Sequence, residues 1–427
     1  MVLKCSKGCD EYRALSRRQF LGAGAAAMAM AAGSAWLPRV AYAQDDVAGR
    51  DIIVSLFLRG GCDGLSVIAP FGDAGYYAAR PNLAIAPPDA GAGGALDLDG
   101  FFGFAPAMGP LMESYGAGNL LLVHACGMND GTRSHFDAMH FMEVGKARDP
   151  LLATGWLGRH LMHTAPPGAD PVLRAVGMAP ALQRTLAGSP LALPVPDPAA
   201  FRLPGDENSA DARLAAMMTM YGGTAEPLRT SAAKTSETIA LLERLNIDAY
   251  APGGGAVYPE SEIGLALRSS AALIRGEVGV EAIAVDLGGW DTHEEQGAID
   301  GGMAALMAGL AEALAAFHAD IIAGSEHQVT LVVMSEFGRM VDENLSKGTD
   351  HGHGGIMMVL GGAVQGGRVL ADWPGLAVEQ RFEGQDLAVT IEYRDILYEI
   401  AERRLATAVP ALVFPDLVHT RHGVFGA

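Results

Sequence analysis

Residues 281–296, "EAIAVDLGGWDTHEEQ", decide how this chain is read. An apolar run without alternation ends in two glycines and is followed at once by Trp290, Asp291, Thr292 and His293. Such a run reads as a strand covered on both faces, the habit of parallel sheets. Open α/β sheets gather their ligands beyond the carboxyl ends of such strands. Two readings of Asp291 and His293 therefore stand side by side: ligands of one divalent cation, or hydrogen-bonded groups of an ordinary turn.

The same pattern recurs along the chain. Runs at 51–58 ("DIIVSLFL"), 119–125, 171–178, 328–334 and 355–362 alternate with helix-like segments at 135–147, 235–245, 260–276 and 302–323. This alternation predicts an α/β three-layer sandwich with a mainly parallel central sheet. Polar clusters sit just past the strands. Asp63 follows the first, Arg133, Ser134 and His135 the second, and Glu336 with Arg339 the run at 328. A second acid–imidazole cluster, "GTDHGHGG" at 348–355, places Asp350, His351 and His353 among glycines that permit close backbone approach. Parallel strands would bring all of these loops to one edge.

Each cluster has a plainer reading. Ser134 stands where a helix begins, either as a capping hydroxyl or as a metal-activated nucleophile beside an anion-holding Arg133. Glu336 either ligates metal or anchors Arg339 in a salt bridge. His135 and His140 read equally well as packed core histidines. Residues 179–260, Pro-rich and then helical, read as an insertion or cap on a single domain spanning 44–427. Residues 87–100, "PPDAGAGGALDLDG", read as a surface loop or hairpin. There is no G-x-S-x-G, P-loop or H-E-x-x-H motif, and the first strand lacks a G-x-G-x-x-G turn.

The first 43 residues have a different character. "SRRQFL" at 16–21 leads into the Ala-Gly-rich segment 22–37, and "AYA" at 41–43 offers small residues at a cleavage site. This is the pattern of a twin-arginine export signal, with cleavage after Ala43, no membrane anchor in the mature chain and a periplasmic or secreted destination. Six basic residues oppose Asp10 and Glu11 there, so removing this net +4 from the whole-chain −19 leaves −23 on residues 44–427. A body so acidic, without a basic stripe, repels a phosphate backbone, so nucleic acid is not an expected partner. The most membrane-like later segment, 302–323, is interrupted by Glu312, His318 and Asp320 and reads as a buried amphipathic helix. Outside the leader only Cys62 and Cys126 remain, each after a strand. They form a disulfide if the first two strands are neighbours, and are free buried thiols otherwise.

Taken in order, the leader, "FLRGGCDGLSVIAP", "RSHFDAMHFMEVG", "GGWDTHEEQ", "VVMSEFGRM", "TDHGHGG" and "EYRDILYEI" resemble the family of exported bacterial proteins catalogued as domain of unknown function 1501. The resemblance runs from about residue 50 to about residue 412. That family in turn resembles the alkaline phosphatase and sulfatase superfamily, which implies an alkaline-phosphatase-like fold and metal-dependent hydrolysis of phosphate or sulfate esters. It implies that Asp63 is a first metal-binding aspartate, Ser134 the nucleophile, Asp291 with His293 an aspartate–histidine metal pair, and His351 or His353 a last histidine. This chain departs from the superfamily in the narrow Asp-x-His spacing and in Ser335-Glu336 where Asp-His is usual. The sulfatase cysteine signature is also absent. The expectation is thus an exported hydrolase of a small anionic ester. Its divalent metal, Zn, Mn, Mg, Ca or Fe, would be drawn from ligands among Asp63, Asp291, His293, Glu336, Asp350, His351 and His353, with Arg133 or Arg339 holding the anion. A binding or assembly protein that keeps a structural metal is the alternative, and a redox protein the third reading, since twin-arginine export suits chains that fold around a cofactor. Its partner in either case is the twin-arginine export machinery.

Overall fold

The computed structural model describes residues 51–166, 171–226 and 228–426, with nothing stated of the Glu207 side chain. The expected export signal, residues 1–43, lies outside the described residues.

The apolar runs become strands where the sequence places them. β1 (Ile52–Leu58), β2 (Leu120–Gly127), β3 (Ala175–Gly177), β4 (Ala192–Pro194), β5 (Ala282–Leu287), β6 (Val329–Ser335), β7 (Gly355–Gly361), β8 (Arg368–Leu370) and β9 (Ile391–Glu392) form a nine-stranded sheet. Its order is β8-β2-β7-β6-β1-β5-β3-β4, with β9 pairing on β2. Every pairing is parallel except those of β7, which runs against both β6 and β2. The fold is α/β with a mixed, mostly parallel central sheet. The short strands β4, β8 and β9 lack the long apolar runs that reveal the others.

Alternate residues of β1 show why both faces are covered. Ile53 and Phe57 share one core with α1 (His135–Val144), α2 (Trp156–His163) and α6 (Tyr393–Arg403), through Phe141, Met142, Trp156, Leu161, Ile396 and Ile400. The residues between them, Val54 and Leu56, are also fully buried. Helix α5 (Gly302–Phe317) packs on α4 (Glu262–Arg275), which in turn lies against β5. The segment Gly302–Ile322 is long and apolar enough to cross a membrane by length and composition alone. Here its Met303, Met307, Leu310, Leu314 and Phe317 are buried, as expected of a core helix.

Residues 179–260, expected as an insertion or cap, contribute to both units of the chain. Residues 201–241 fall outside the sheet-bearing unit and carry α3 (Ala210–Gly222) and the start of a helix over Leu228–Leu245. Residues 179–200 and 242–260 belong instead to the sheet-bearing unit, where Ala192–Pro194 extends the sheet. Of the segment 87–100, only Leu96–Asp97 enters a sheet, pairing with Gly103–Phe104 beyond it, which pairs in turn with Ile68–Ala69.

Strand order also settles the cysteines. β6 and β7 lie between β1 and β2, so the ends bearing Cys62 and Cys126 are three strand spacings apart, roughly 14 Å. A disulfide needs Cα atoms about 4.4–6.8 Å apart. Both residues are free, buried thiols, each held in the neutral form by desolvation. Thiol labelling of the denatured, unreduced chain over residues 44–427 should therefore find two reactive cysteines; recovery of none would contradict the strand order.

Candidate metal centre

Register brings the carboxyl ends together. Leu58 pairs with Leu287 on one side and Ser335 on the other, so β1, β5 and β6 end level. Because β7 is antiparallel, it begins at that same edge, with Gly355 opposite Cys126 near the end of β2. The whole segment 336–354 therefore leaves and re-enters the sheet on one side.

Glycines let these loops touch. Gly60 has φ +125°, and a Cβ there would stand 2.5 Å from the Asp291 nitrogen. At Gly348 a Cβ would stand 2.2 Å from the His293 carbonyl carbon. Backbone hydrogen bonds from Thr349 to Thr292, Glu295 to Ser346 and Gln296 to Lys347 then zip the loop after β5 to the loop before β7. Trp290, wholly buried, anchors the chain just before Asp291.

Three imidazoles meet one carboxylate at this junction. Asp291 Oδ1 lies 2.9 Å from His293 Nε2, 3.1 Å from His351 Nε2 and 3.6 Å from His135 Nε2. His293 Nε2 and His351 Nε2 are 3.0 Å apart. Donor atoms of His135, Asp291 and His351 all lie within 4.8 Å of one another. Each ring is held from behind through Nδ1: His135 by Glu336 Oε1 at 2.8 Å, His293 by Asp350 Oδ1 at 2.9 Å, and His351 by the Arg133 carbonyl at 3.0 Å. Those three partners only accept, so each Nδ1 carries the proton. In a neutral imidazole the other nitrogen is then a lone pair, and all three lone pairs face Asp291. Phe337 packs on two of the rings, its centroid 5.0 Å from that of His135 and 4.8 Å from that of His351.

Lone pairs facing a carboxylate repel unless positive charge sits among them. The surrounding groups respond accordingly. Burial pushes Asp291 upward, but His135, His293, His351 and Arg339 outweigh it and hold the carboxyl far below the usual range. Burial lowers His135, yet Asp291 and Glu336 raise it to about 9. His293 is raised by Asp291 and, after the opposing effect of burial, by Asp350. The second oxygen of Asp291, Oδ2, is buried and accepts no hydrogen bond among the described residues. Protons or a metal ion would each supply the missing charge. Three oriented imidazoles with a carboxylate are a donor set suited to a transition metal, and carboxylate or carbonyl groups behind each ring are the usual support of metal-binding histidines.

Of the residues expected from sequence, the structure brings Asp291, His293 and His351 into this cluster. Asp350 and Glu336 stand one layer behind, holding His293 and His135. Glu336 is buried and also accepts from the Gly60 amide at 2.8 Å, so it orients a ring instead of ligating. Arg339 is not its salt-bridge partner. Its guanidinium, wholly buried, donates to the carbonyls of Gly60, Gly61, Trp290 and Thr349 and to Asp291 Oδ1 at 2.8 Å. It ties three backbone segments, at Gly60–Gly61, Trp290 and Thr349, to the acid. Arg133 is similarly engaged, with Asp386 at 2.7 Å and Glu383 at 3.0 Å.

Asp63 and His353 are not brought together with these groups. Asp63 is fully enclosed and accepts from Arg80 at 2.6 and 3.0 Å, from Ser66 Oγ at 2.6 Å and from Gln296 Nε2 at 2.7 Å. Burial alone would raise its pKa; Arg80, Ser66 and Gln296 outweigh this and lower it. With its oxygens so occupied, Asp63 is a structural ion-pair partner. Gln296 Oε1 accepts in turn from Thr292 and Thr349, which links that pair to both loops of the imidazole cluster. His353 stacks on Phe382 with ring centroids 4.2 Å apart, and burial, with Arg133 nearby, lowers it to about 4.

His135, which the sequence leaves open between a group of the shared edge and a packed histidine, joins the cluster. His140 is of the packed kind, meeting the Asp149 carbonyl at 2.9 Å. The signal that separates the two is position: His135 opens a helix beyond a strand's carboxyl end, whereas His140 lies in the middle of that helix. Ser134, immediately before it, is the N-cap residue of α1 but makes no side-chain capping bond.

Neither a curated protein nor a solved structure matches the chain. A family model does, over residues 50–399, and the chain therefore belongs to the family described as "Protein of unknown function (DUF1501)".

Proposed function

We propose that this chain is an exported, metal-dependent hydrolase of phosphate, sulfate or related esters, with a divalent ion held by Asp291, His293, His351 and His135. The observation that carries the reading is the convergence of three Nε2 atoms, each tethered through Nδ1, on one carboxylate. A bound ion would polarise the ester and lower the pKa of a nearby hydroxyl or water.

Ser134 is the proposed nucleophile, on grounds independent of the family resemblance. The residue before it lends a carbonyl to His351, and the residue after it is a donor of the cluster, so its backbone is fixed from both sides. Its hydroxyl is not spent on capping. Enclosure of Asp63 by Arg80 favours one metal instead of the several usual in the alkaline phosphatase and sulfatase superfamily, which this reading takes as its fold relative. Export by the twin-arginine route remains part of the proposal.

A second reading has one observation in its favour. Four protein donors would close a tetrahedral ion completely, as in structural zinc sites, and the chain would then be an exported binding or assembly protein. Elemental analysis after incubation with Zn, Mn, Mg, Ca or Fe salts, paired with a panel of chromogenic phosphate and sulfate esters, tests both. One ion per chain and ester turnover are expected. Ser134→Ala should keep the ion while turnover falls by roughly 10³-fold or more. A wild-type chain without stoichiometric metal would end the hydrolase reading; metal without cleavage of any ester would leave the binding-protein reading.

A further inference from the structure

The geometry points to a five- or six-coordinate ion of the iron or manganese type at this centre, with Asp291, His293 and His351 occupying one triangular face, instead of four-coordinate zinc. The inference rests on the metal reading above and goes further, because it decides whether a ligand can reach the ion. A tetrahedral zinc with bonds near 2.1 Å separates its donors by about 3.4 Å. Adjacent donors around a six-coordinate ion with similar bonds lie closer, at about 3.0 Å. The three mutual separations among Asp291 Oδ1, His293 Nε2 and His351 Nε2 are 2.9, 3.0 and 3.1 Å. All three match the tighter spacing.

The chemistry of the three agrees. Two imidazoles and one carboxylate on a common face, with other positions left open, form the donor set of non-haem iron(II) centres. His135 stands apart from the triangle, 3.6 Å from Oδ1. It adds a fourth donor without closing the coordination sphere of a larger ion. Imidazole-rich ligation also argues against magnesium and calcium, which prefer oxygen donors. The supports behind the rings belong to different elements, with Glu336 at the end of β6, Asp350 before β7 and the Arg133 carbonyl before α1. The face is therefore held by the sheet and not by one flexible loop.

Cobalt(II) loaded into the full chain reports coordination number directly. Weak visible absorption, typical of five- or six-coordinate cobalt, is expected, and inorganic phosphate or sulfate should shift the bands by entering an open position. Intense four-coordinate absorption that neither anion perturbs would overturn the inference while leaving a bound metal, and would favour the structural reading. Failure of the chain to bind cobalt, zinc, iron or manganese at one per chain would overturn the metal reading and this inference together. His351→Ala should abolish the weak cobalt spectrum. An unchanged spectrum in that variant would remove His351 from the face and overturn the assignment.

Discussion

Asp291→Ala is expected to abolish metal binding and to cost the fold about 3–5 kcal/mol, the usual effect of leaving a buried charge unpaired. The carboxylate is the point on which the three imidazoles converge, and it is also the acid facing the enclosed guanidinium of Arg339. Asp291→Asn separates the two roles. Its amide oxygen still accepts from Arg339, so most of the stability should return, while the lost negative charge should still prevent stoichiometric binding. Urea unfolding together with elemental analysis checks the pair. Full metal occupancy in Asp291→Ala would show that the ion sits elsewhere.

Asp63→Ala should be comparably destabilising, again by about 3–5 kcal/mol, because Arg80 would remain uncompensated inside the protein. Both side chains are essentially inaccessible, 0% exposed for Arg80 and 1% for Asp63. Replacing both, as Asp63→Leu with Arg80→Met, should recover much of that loss, since an apolar pair of similar volume carries no desolvation cost. Asp63→Asn gives the functional contrast. Metal content should stay at that of the wild type, because no oxygen of Asp63 faces the cluster. Loss of metal in Asp63→Asn, with the fold intact, would restore Asp63 as a ligand.

These two aspartates show how far the sequence carried. Both follow strands and a pair of glycines, and only His293, two positions beyond Asp291, distinguishes their immediate neighbours. Their fates differ mainly because of distant residues: Arg80 stands 17 positions from Asp63, and two of the three rings facing Asp291 come from the start of α1 and the segment before β7. The strands themselves were legible because continuous apolar runs admit little else. Their order was not, and the expectation that Cys62 and Cys126 might pair depended on it. The reversed direction of β7 left no mark in its composition either. That reversal places His351 at the correct edge of the sheet, which the assumption of parallel strands reached for the wrong reason. His135 stays undecided in sequence for a different cause: its place at a helix start points to the sheet edge, but residue type alone does not tell a packed histidine from a ligating one. Only Glu336, 201 positions away, fixes which nitrogen faces inward.

The span between those partners has a consequence for how the protein is made. Arg133 and His351 meet across 218 positions, and His135 and Glu336 across 201, so nothing resembling the centre exists while the ribosome is still producing β6. A nascent chain has His135, then Asp291 and His293, but no third ring and no supporting carboxylate at residue 336 until late in synthesis. Non-local contacts of this kind form only once the intervening chain has been ordered. Loading of any ion is therefore a finishing step, and a chain truncated before residue 329, lacking β6, β7 and the segment between them, should emerge unable to retain one.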